Sequence, residues 1–171
     1  MRIYVACLAS YNNGILHGRW IDATTDIEAM AKEIDSMLKD SPIANAEEWA
    51  IHDSEGLGDV SEHTSLEEIA RRVEIAEAAA RYDLPVPVLL EAMEDIDDED
   101  AESFVLVHYR GRYEDLAEFA EELCNECYDL EQIPDFLRGH IDWDGVARDM
   151  VYGGDIREIR NGGCSYVFWN Y

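Results

Sequence analysis

The first apolar pattern along the chain repeats with a period of two. Ile3, Val5 and Cys7 alternate with their neighbours, and such alternation is typical of a β-strand with one buried face. The sequence Asn12-Asn13-Gly14 supplies residues that tolerate a positive φ. The pattern therefore predicts a strand, a turn and a second strand over residues 2–23.

A helical pattern follows this predicted hairpin. Thr25 and Glu28 have the spacing of a capping box, and apolar residues from Ile27 to Leu38 recur on one face. The next segment, EEWAIHDSEG, is predicted to be a further strand that ends in a turn. Residues 1–60 are therefore predicted to form a small α+β unit.

The pattern becomes helical throughout near residue 61. Ser65 and Glu68 form a second capping-box pair, and apolar residues with helical spacing continue through LEEIARRVEIAEAAARY. Pro85 and Pro87 end that helix and permit a short one over VLLEAMED. Residues 61–103 are therefore predicted to form an acidic, helical unit.

The remaining residues, 104–171, are predicted to form a second mixed unit. FVLVHYRGRY has the composition of a strand, EDLAEFAEELCNEC and DWDGVARDMV have helical patterns, and the end of the chain suits a hairpin around Asn161-Gly162-Gly163. The predicted fold class is α+β, in an elongated chain of three small units in which two mixed α+β units flank a helical one.

The balance of charge narrows the classes of partner. The chain carries 39 Asp and Glu residues against 13 Lys and Arg residues, which gives a net charge of −26. A chain this negative repels nucleic acids and anionic lipids and attracts basic surfaces. We therefore expect no direct binding to nucleic acid or to a membrane, and we expect a partner with a basic surface.

The carboxylates are densest in residues 91–102, with the sequence EAMEDIDDEDAE, in which only Ala92, Met93, Ile96 and Ala101 interrupt them. We call these twelve residues the acidic stretch. Like charges placed so closely destabilise a compact state. The acidic stretch therefore needs a functional explanation.

A calcium-binding loop is the first candidate explanation. An EF-hand loop that began at Asp95 would require Gly at its sixth position and Glu at its twelfth. This chain has Asp100 and Leu106 at those positions. The acidic stretch therefore does not predict a calcium site.

The pair Cys124 and Cys127 has the spacing of half a zinc site or of a redox pair. Both thiols fall on the apolar stripe of a predicted helix, together with Leu116, Phe119 and Leu123, so they are predicted to be core residues. The sequence also lacks a nucleophile elbow and an H-E-x-x-H motif. We expect no enzyme activity, no catalytic residues, no cofactor and no metal.

The spacing of the carboxylates supports several functions. The predicted helix over EDLAEFAEELCNEC has an acidic face opposite its apolar stripe, with at least one carboxylate per turn of 5.4 Å. B-DNA, for comparison, carries one phosphate charge per about 1.7 Å of its axis. A mimic of DNA is therefore one interpretation. An acidic chaperone or sequestering protein for basic DNA-binding proteins is a second, and a halophile-type acidic domain is a third. Composition does not separate them.

The location of the protein is predicted from three absences in the sequence. No apolar run approaches the roughly 18 residues that a membrane span requires. The beginning of the chain has a strand pattern rather than that of a signal peptide. The four cysteines show no disulfide framework. A cytoplasmic location is therefore expected.

Several blocks of the sequence closely resemble the ArdA antirestriction proteins of conjugative plasmids and transposons. The first block has the pattern Y-N-x-G-x-L-H-G-x-W-I-D-A, which is met by Tyr11, Asn12, Gly14, Leu16, His17, Gly18, Trp20, Ile21, Asp22 and Ala23. The segments EEWAIHDSEG, YRGRYEDLAEFAEEL, IDWDGVARDM and YVFW also resemble that family. The resemblance covers nearly the whole chain.

This resemblance implies a function that the residues alone leave open. ArdA proteins are elongated homodimers that mimic bent B-form DNA and occupy the DNA-binding groove of type I restriction–modification enzymes. They have no catalytic residues, cofactor or metal. The resemblance thus implies a restriction-modification inhibitor that is encoded on a mobile genetic element and located in the bacterial cytoplasm.

Two sets of candidate site residues follow from this interpretation. The predicted DNA-mimic acidic surface consists of Glu67, Glu68, Glu74, Glu77, Asp83, Glu91, Glu94, Asp95, Asp97, Asp98, Glu99, Asp100, Glu102, Glu114, Asp115, Glu118, Glu121, Glu122 and Glu126. The apolar segment 128–137 follows a helix and has no obvious core role. The predicted dimer interface therefore consists of Tyr128, Leu130, Ile133, Phe136 and Leu137.

Overall fold

The chain folds into two compact units, Met1–Leu90 and Glu91–Tyr171. The computed structural model describes residues 1–96 and 99–170. The regular structure of the described residues consists of helices and two separate antiparallel sheets, each of three strands. The predicted α+β class is therefore confirmed.

A small antiparallel sheet organises the first unit. Its elements are β1 (Arg2–Cys7), α1 (Leu8–Asn12), β2 (Gly18–Asp22), α2 (Ile27–Lys39), β3 (Trp49–Glu55) and α3 (Leu66–Arg81), and α4 (Val86–Ala92) follows at the boundary. The strand order is β2-β1-β3. Because β1 is central, Val5 pairs with Arg19 on one side and with Ile51 on the other.

One hydrophobic core joins this sheet to two helices. Ile3 of β1, Met30 of α2 and Ile69 of α3 are all buried in the same cluster. A helix with an apolar stripe must bury that stripe against another element, and α3 does so against the first sheet and α2. The predicted arrangement of three units is therefore not confirmed, because α3 packs with the elements that precede it.

The two predicted capping boxes have different outcomes. Ser65 caps α3 as predicted, because its hydroxyl accepts a hydrogen bond from the backbone N–H of Glu68 at 3.2 Å. The cap of α2 is instead Asp26, whose carboxylate accepts from the backbone N–H of Ala29 at 2.9 Å. The prediction for Thr25 was wrong by one residue, which is a common error at helix ends.

A second antiparallel sheet organises the other unit. Its elements are α5 (Ala101–His108), β4 (Tyr109–Tyr113), α6 (Leu116–Cys127), a 3-10 turn (Leu130–Gln132), α7 (Asp135–Arg138), α8 (Trp143–Gly153), β5 (Ile156–Asn161) and β6 (Cys164–Trp169). The strand order is β4-β6-β5, and Phe119, Ile156 and Val167 lie in one buried cluster. The central strand β6 thus connects the sheet to α6.

The predicted hairpin at the end of the chain is confirmed. Asn161 pairs with Cys164 across the turn, and the two residues between them, Gly162 and Gly163, have φ values of 60° and 83°. Positive φ at both central positions is the requirement of the two-residue turns that match strand twist. The two glycines therefore set the register of β5 on β6.

The predicted strand FVLVHYRGRY is wrong in its first half, because α5 is a helix up to His108 and only Tyr109–Tyr113 form a strand. Within α5, Phe104 and Val105 are buried, whereas Leu106 and Val107 are exposed. This pattern has helical rather than alternating periodicity. Tertiary burial thus overrides the strand propensity of the β-branched residues.

The prediction that both thiols of α6 are core residues is also wrong. Cys127 is exposed and Cys124 is half-buried, whereas Phe119 and Ala120 are the buried residues of this helix. The apolar stripe of α6 is therefore fully buried only at Phe119 and Ala120, and Cys127 at its end is uncovered. Burial, followed by the charge of Cys127, raises the pKa of Cys124, which makes this thiol less reactive at neutral pH.

Candidate acidic binding surface

The structure keeps its carboxylates at the surface. Throughout residues 1–96 and 99–170, no Asp or Glu is buried. Of the predicted acidic surface, all the described members are exposed except Glu68 and Glu99, which are half-buried. Asp97 and Asp98 belong to the prediction but lie outside the described residues.

The predicted residues fall into three groups along the chain. The first group lies on α3 and in the turn after it: Glu67, Glu68, Glu74, Glu77 and Asp83. The second is the acidic stretch, which ends in the first turn of α5. The third begins just before α6 and continues along it: Glu114, Asp115, Glu118, Glu121, Glu122 and Glu126. The first group belongs to one compact unit, and the other two belong to the second.

The exposed carboxylates of α6 lie on a face away from the core. Phe119 and Ala120 are buried, whereas Glu118, Glu121 and Glu122 are exposed. Neighbours at these spacings lie about 5–6 Å apart on a helix surface. The helix therefore presents a row of negative charge whose spacing is fixed by the backbone.

Some of these carboxylates also hold the beginning of α6 in place. Asp115 accepts a hydrogen bond from the backbone N–H of Glu118 at 3.0 Å, and Glu118 accepts from the backbone N–H of Glu114 at 2.8 Å. Unpaired N–H groups at a helix start favour such anions. These carboxylates thus stabilise the helix as well as contributing charge.

The carboxylate of Glu122 has a neutral partner. The hydroxyl of Tyr113 donates to it at 3.4 Å. Burial raises the pKa of Tyr113, and the neighbouring charge of Glu122 raises it further. The phenol therefore stays protonated at neutral pH and remains a hydrogen-bond donor to Glu122.

Two cations neutralise the carboxylate of Glu68 on α3. Its carboxylate lies 2.7 Å from Arg72 and 3.9 Å from Arg71. Arg72 also donates to the backbone carbonyls of Leu57 and Asp59. Glu68 thus helps to fix the loop before α3, and its charge is engaged within the fold.

The carboxylates with the fewest structural duties are spread over all three groups. Within the described parts of the chain, a set of exposed side chains makes no hydrogen bond or ion pair through its carboxylate: Glu67, Glu77, Asp83, Glu91, Glu94, Asp95, Glu114, Glu121 and Glu126. Their carboxylates are open to solvent and counterions. A basic partner could therefore engage them without breaking an internal contact.

The sequence analysis did not identify the structural role of Asp100. Asp100 caps α5 by accepting from the backbone N–H of Ser103 at 2.9 Å. This bond, together with one from the Ser103 side chain, lowers the pKa of Asp100. A spacing of three residues from a carboxylate to the first helical turn was the available signal, but the strand predicted over this region concealed it.

The predicted dimer interface is an exposed apolar surface. Tyr128, Phe136 and Leu137 are 68%, 74% and 47% exposed, and Leu130 and Ile133 are half-buried. Three large apolar side chains are therefore exposed within one ten-residue segment, and exposed apolar patches often mark interaction sites. This surface suits contact with another protein chain.

Metal sites and membrane spans are the remaining features to consider in residues 1–96 and 99–170. Among them, no group of three or more His, Cys, Asp or Glu side chains is arranged to hold a metal ion. None of the helices in the described ranges combines the length and the apolar composition of a bilayer span.

Comparison with known families gives one match. A family model described as antirestriction protein (ArdA) matches residues 3–165, nearly the full length of the chain. A search of curated proteins finds no match.

The cap on α5 makes a testable, pH-dependent contribution to stability. Because the folded pKa of Asp100 is lowered, its ionised carboxylate stabilises the fold above the unfolded pKa, and this contribution is lost as the pH falls through the folded pKa. We expect Asp100→Asn to melt about 1–4 °C below Asp95→Asn at neutral pH. The difference should close as the pH falls below the ordinary aspartate range, about 4.

Asp95→Asn is the matched control, because it removes the same charge from the same stretch at a position outside any helix start. Asn at position 100 can still accept the cap hydrogen bond, so the comparison isolates the ionised charge at the start of α5. Thermal melts of both variants across this pH range provide the measurement. Equal melting temperatures at neutral pH would show that the ionised cap contributes nothing.

Proposed function

Because the chain belongs to the ArdA family of antirestriction proteins, we propose that it inhibits type I restriction–modification enzymes by mimicking DNA in their DNA-binding groove. Family membership implies interaction with restriction enzymes. The proposal goes further in three respects: the protein binds in the DNA-binding groove, it does so by mimicking DNA, and the enzyme is of type I. They are supported by how the chain places its charge.

The observation that carries the proposal is that a chain of net charge −26 buries none of its described carboxylates. Across the described ranges no Asp or Glu is buried, so the negative charge is available to a partner. A DNA-binding groove is lined with Lys and Arg that neutralise phosphates. Fixed carboxylates can take the place of those phosphates.

The spacing of the charges on α6 fits this role. A helix rises 5.4 Å per turn, and several turns of α6 present one or more carboxylates on the exposed face. A single helix gives a lower charge density than duplex DNA, which has one phosphate per about 1.7 Å. Several acidic elements must therefore act together, which agrees with the distribution of the carboxylates over three groups.

The binding energy would come from counterions, as it does for DNA. A chain with this much like charge holds a cloud of cations and repels itself. When a basic groove neutralises the carboxylates, those cations are released and the repulsion is relieved. Each exposed pair contributes only a few tenths to about 1 kcal/mol, so inhibition should be spread over many residues.

Two copies of the chain would extend the charged surface. Soluble oligomers are most often dimers with two-fold symmetry, and the apolar surface of Tyr128, Phe136 and Leu137 is the candidate contact. This surface has acidic neighbours, but its centre is aromatic and aliphatic, as the centres of homodimer interfaces are. We therefore propose a homodimer that forms through segment 128–137.

The groove proposal predicts competition between this protein and DNA. In a cleavage assay with a type I enzyme, the protein concentration for half-inhibition should rise in proportion to the concentration of duplex DNA. Neutralising Glu114, Glu121 and Glu126 together to Gln should weaken inhibition by about five- to hundredfold, since each exposed charge contributes modestly.

The control for this test removes the same number of charges from α2 of the first unit. Glu28, Glu33 and Asp35 are exposed and are not part of the proposed surface. Their amide variant should inhibit nearly as well as the wild type. If both triple variants weaken inhibition equally, net charge alone accounts for it. If inhibition does not change with DNA concentration, the groove is not the site.

The dimer proposal predicts that Phe136→Asp yields monomers. Phe136 is 74% exposed on α7, so a charge there should repel a second copy without disturbing the fold. Light scattering gives the mass, and circular dichroism checks that the variant is folded. Tyr152→Asp is the control, because Tyr152 is 81% exposed on another helix. A Phe136→Asp dimer at the same concentration would remove this interface.

A further inference from the structure

The apolar residues of the acidic stretch point inward. Ala92, Met93 and Ala101 are 2%, 1% and 1% exposed, and Ile96 is half-buried. The described carboxylates around them are exposed, apart from half-buried Glu99. The residues that interrupt the run of carboxylates are therefore its attachment points, and the stretch is not a free acidic tail.

A cation from the second sheet holds one end of this stretch. Arg157 of β5 donates from Nη1 to the backbone carbonyl of Ala92 at 3.3 Å. This carbonyl is the last one of α4, where a helix leaves carbonyl groups without partners and where positive charge is favoured. Arg157 thus caps the helix that leads into the acidic stretch.

A histidine holds the other end. Nε2 of His108 lies 3.5 Å from the Glu99 carboxylate, which makes an ion pair when the ring is protonated. Nδ1 of the same ring lies 3.2 Å from the backbone carbonyl of Trp169. His108 therefore links the acidic stretch to the end of β6.

The surroundings of His108 leave its ring little freedom. It is 9% exposed, and it stacks on Phe104 with 4.8 Å between ring centroids. Phe104 in turn stacks on Phe168 at 5.9 Å. Ile96, Phe104, His108 and Arg157 border a common cleft of about 220 Å³, so both contacts with the stretch belong to one locality.

We propose that Arg157 and His108 are positioning residues that fix residues 91–96 and 99–102 of the acidic stretch in the conformation that binds the enzyme. This inference rests on the function proposed above. A run of like charges left unanchored would extend and fluctuate, and ordering it on binding would weaken inhibition. The two anchors meet that cost during folding, so the described carboxylates on either side of positions 97 and 98 are already ordered before the enzyme binds.

The test compares variants in pairs that change the same charge. Arg157→Met removes an anchor, and Arg160→Met removes the same charge from an exposed side chain of the same strand that pairs with Glu158. Glu99→Gln weakens the His108 contact, and Glu94→Gln removes an exposed carboxylate of the same stretch. Arg157→Lys retains a charged donor and should restore much of the lost effect.

Two measurements distinguish the order of the acidic stretch from the inhibition of the enzyme. Amide hydrogen exchange in a peptide that spans the stretch should be about five- to tenfold faster in Arg157→Met and Glu99→Gln than in their controls. Inhibition of a type I enzyme by these two variants should be about two- to tenfold weaker than by the controls. Arg157→Lys should recover both values toward those of the wild type.

Each outcome decides the proposal. Unchanged exchange in Arg157→Met and Glu99→Gln would overturn the anchors, whatever the enzyme assay gives. Faster exchange with inhibition equal to that of the controls would overturn the positioning role. A wild-type protein that fails to inhibit would contradict the proposed function instead, and the exchange comparison would still test the anchors.

Discussion

Mutual repulsion among carboxylates is the constraint on which the rest of this structure depends. A net charge of −26 on 171 residues opposes every step that makes the chain compact. The structure meets this constraint by leaving Asp and Glu exposed to water and counterions wherever it is described. Several carboxylates are also placed at helix starts, where unpaired N–H groups attract them, as Asp26, Asp100 and Asp115 show. Part of the negative charge therefore also stabilises the helices.

Apolar burial supplies the opposing stabilisation in each compact unit. Each unit builds its own core on a three-stranded sheet, with Ile3 and Val5 at the centre of the first, and Val167 at the centre of the second. The few cations are used where they connect segments: Arg72 secures the loop before α3, and Arg157 caps α4. Their contribution to stability depends on where they lie rather than on how many there are, since isolated surface ion pairs contribute little.

Local rules predicted much of this fold, and tertiary burial decided the rest. Alternation identified β1, and the paired glycines after Asn161 identified the final hairpin, because both signals depend on backbone geometry alone. The α5 helix was missed because the β-branched residues around Val105 favour a strand until the burial of Phe104 is known. The exposure of Cys127 was missed because a stripe shows which face is apolar but not how far along the helix that face is covered. The candidate carboxylates could be named from sequence, but the bonds from Arg72 to the carbonyls of Leu57 and Asp59 could not, since those contacts join the helix to a separate segment.

The central claim is that carboxylates at the surface act as phosphates toward a basic groove, and the salt dependence of binding tests it most directly. The logarithm of the constant for binding of the protein to a type I enzyme should fall linearly with the logarithm of the salt concentration. Each phosphate contact that a carboxylate replaces should contribute about 0.9 to the steepness of this line, as counterion release from duplex DNA requires. The total steepness should approach that measured for binding of the displaced DNA to the same enzyme. An affinity that stays constant from low to high salt would contradict the account, because binding would then depend on contacts other than charge.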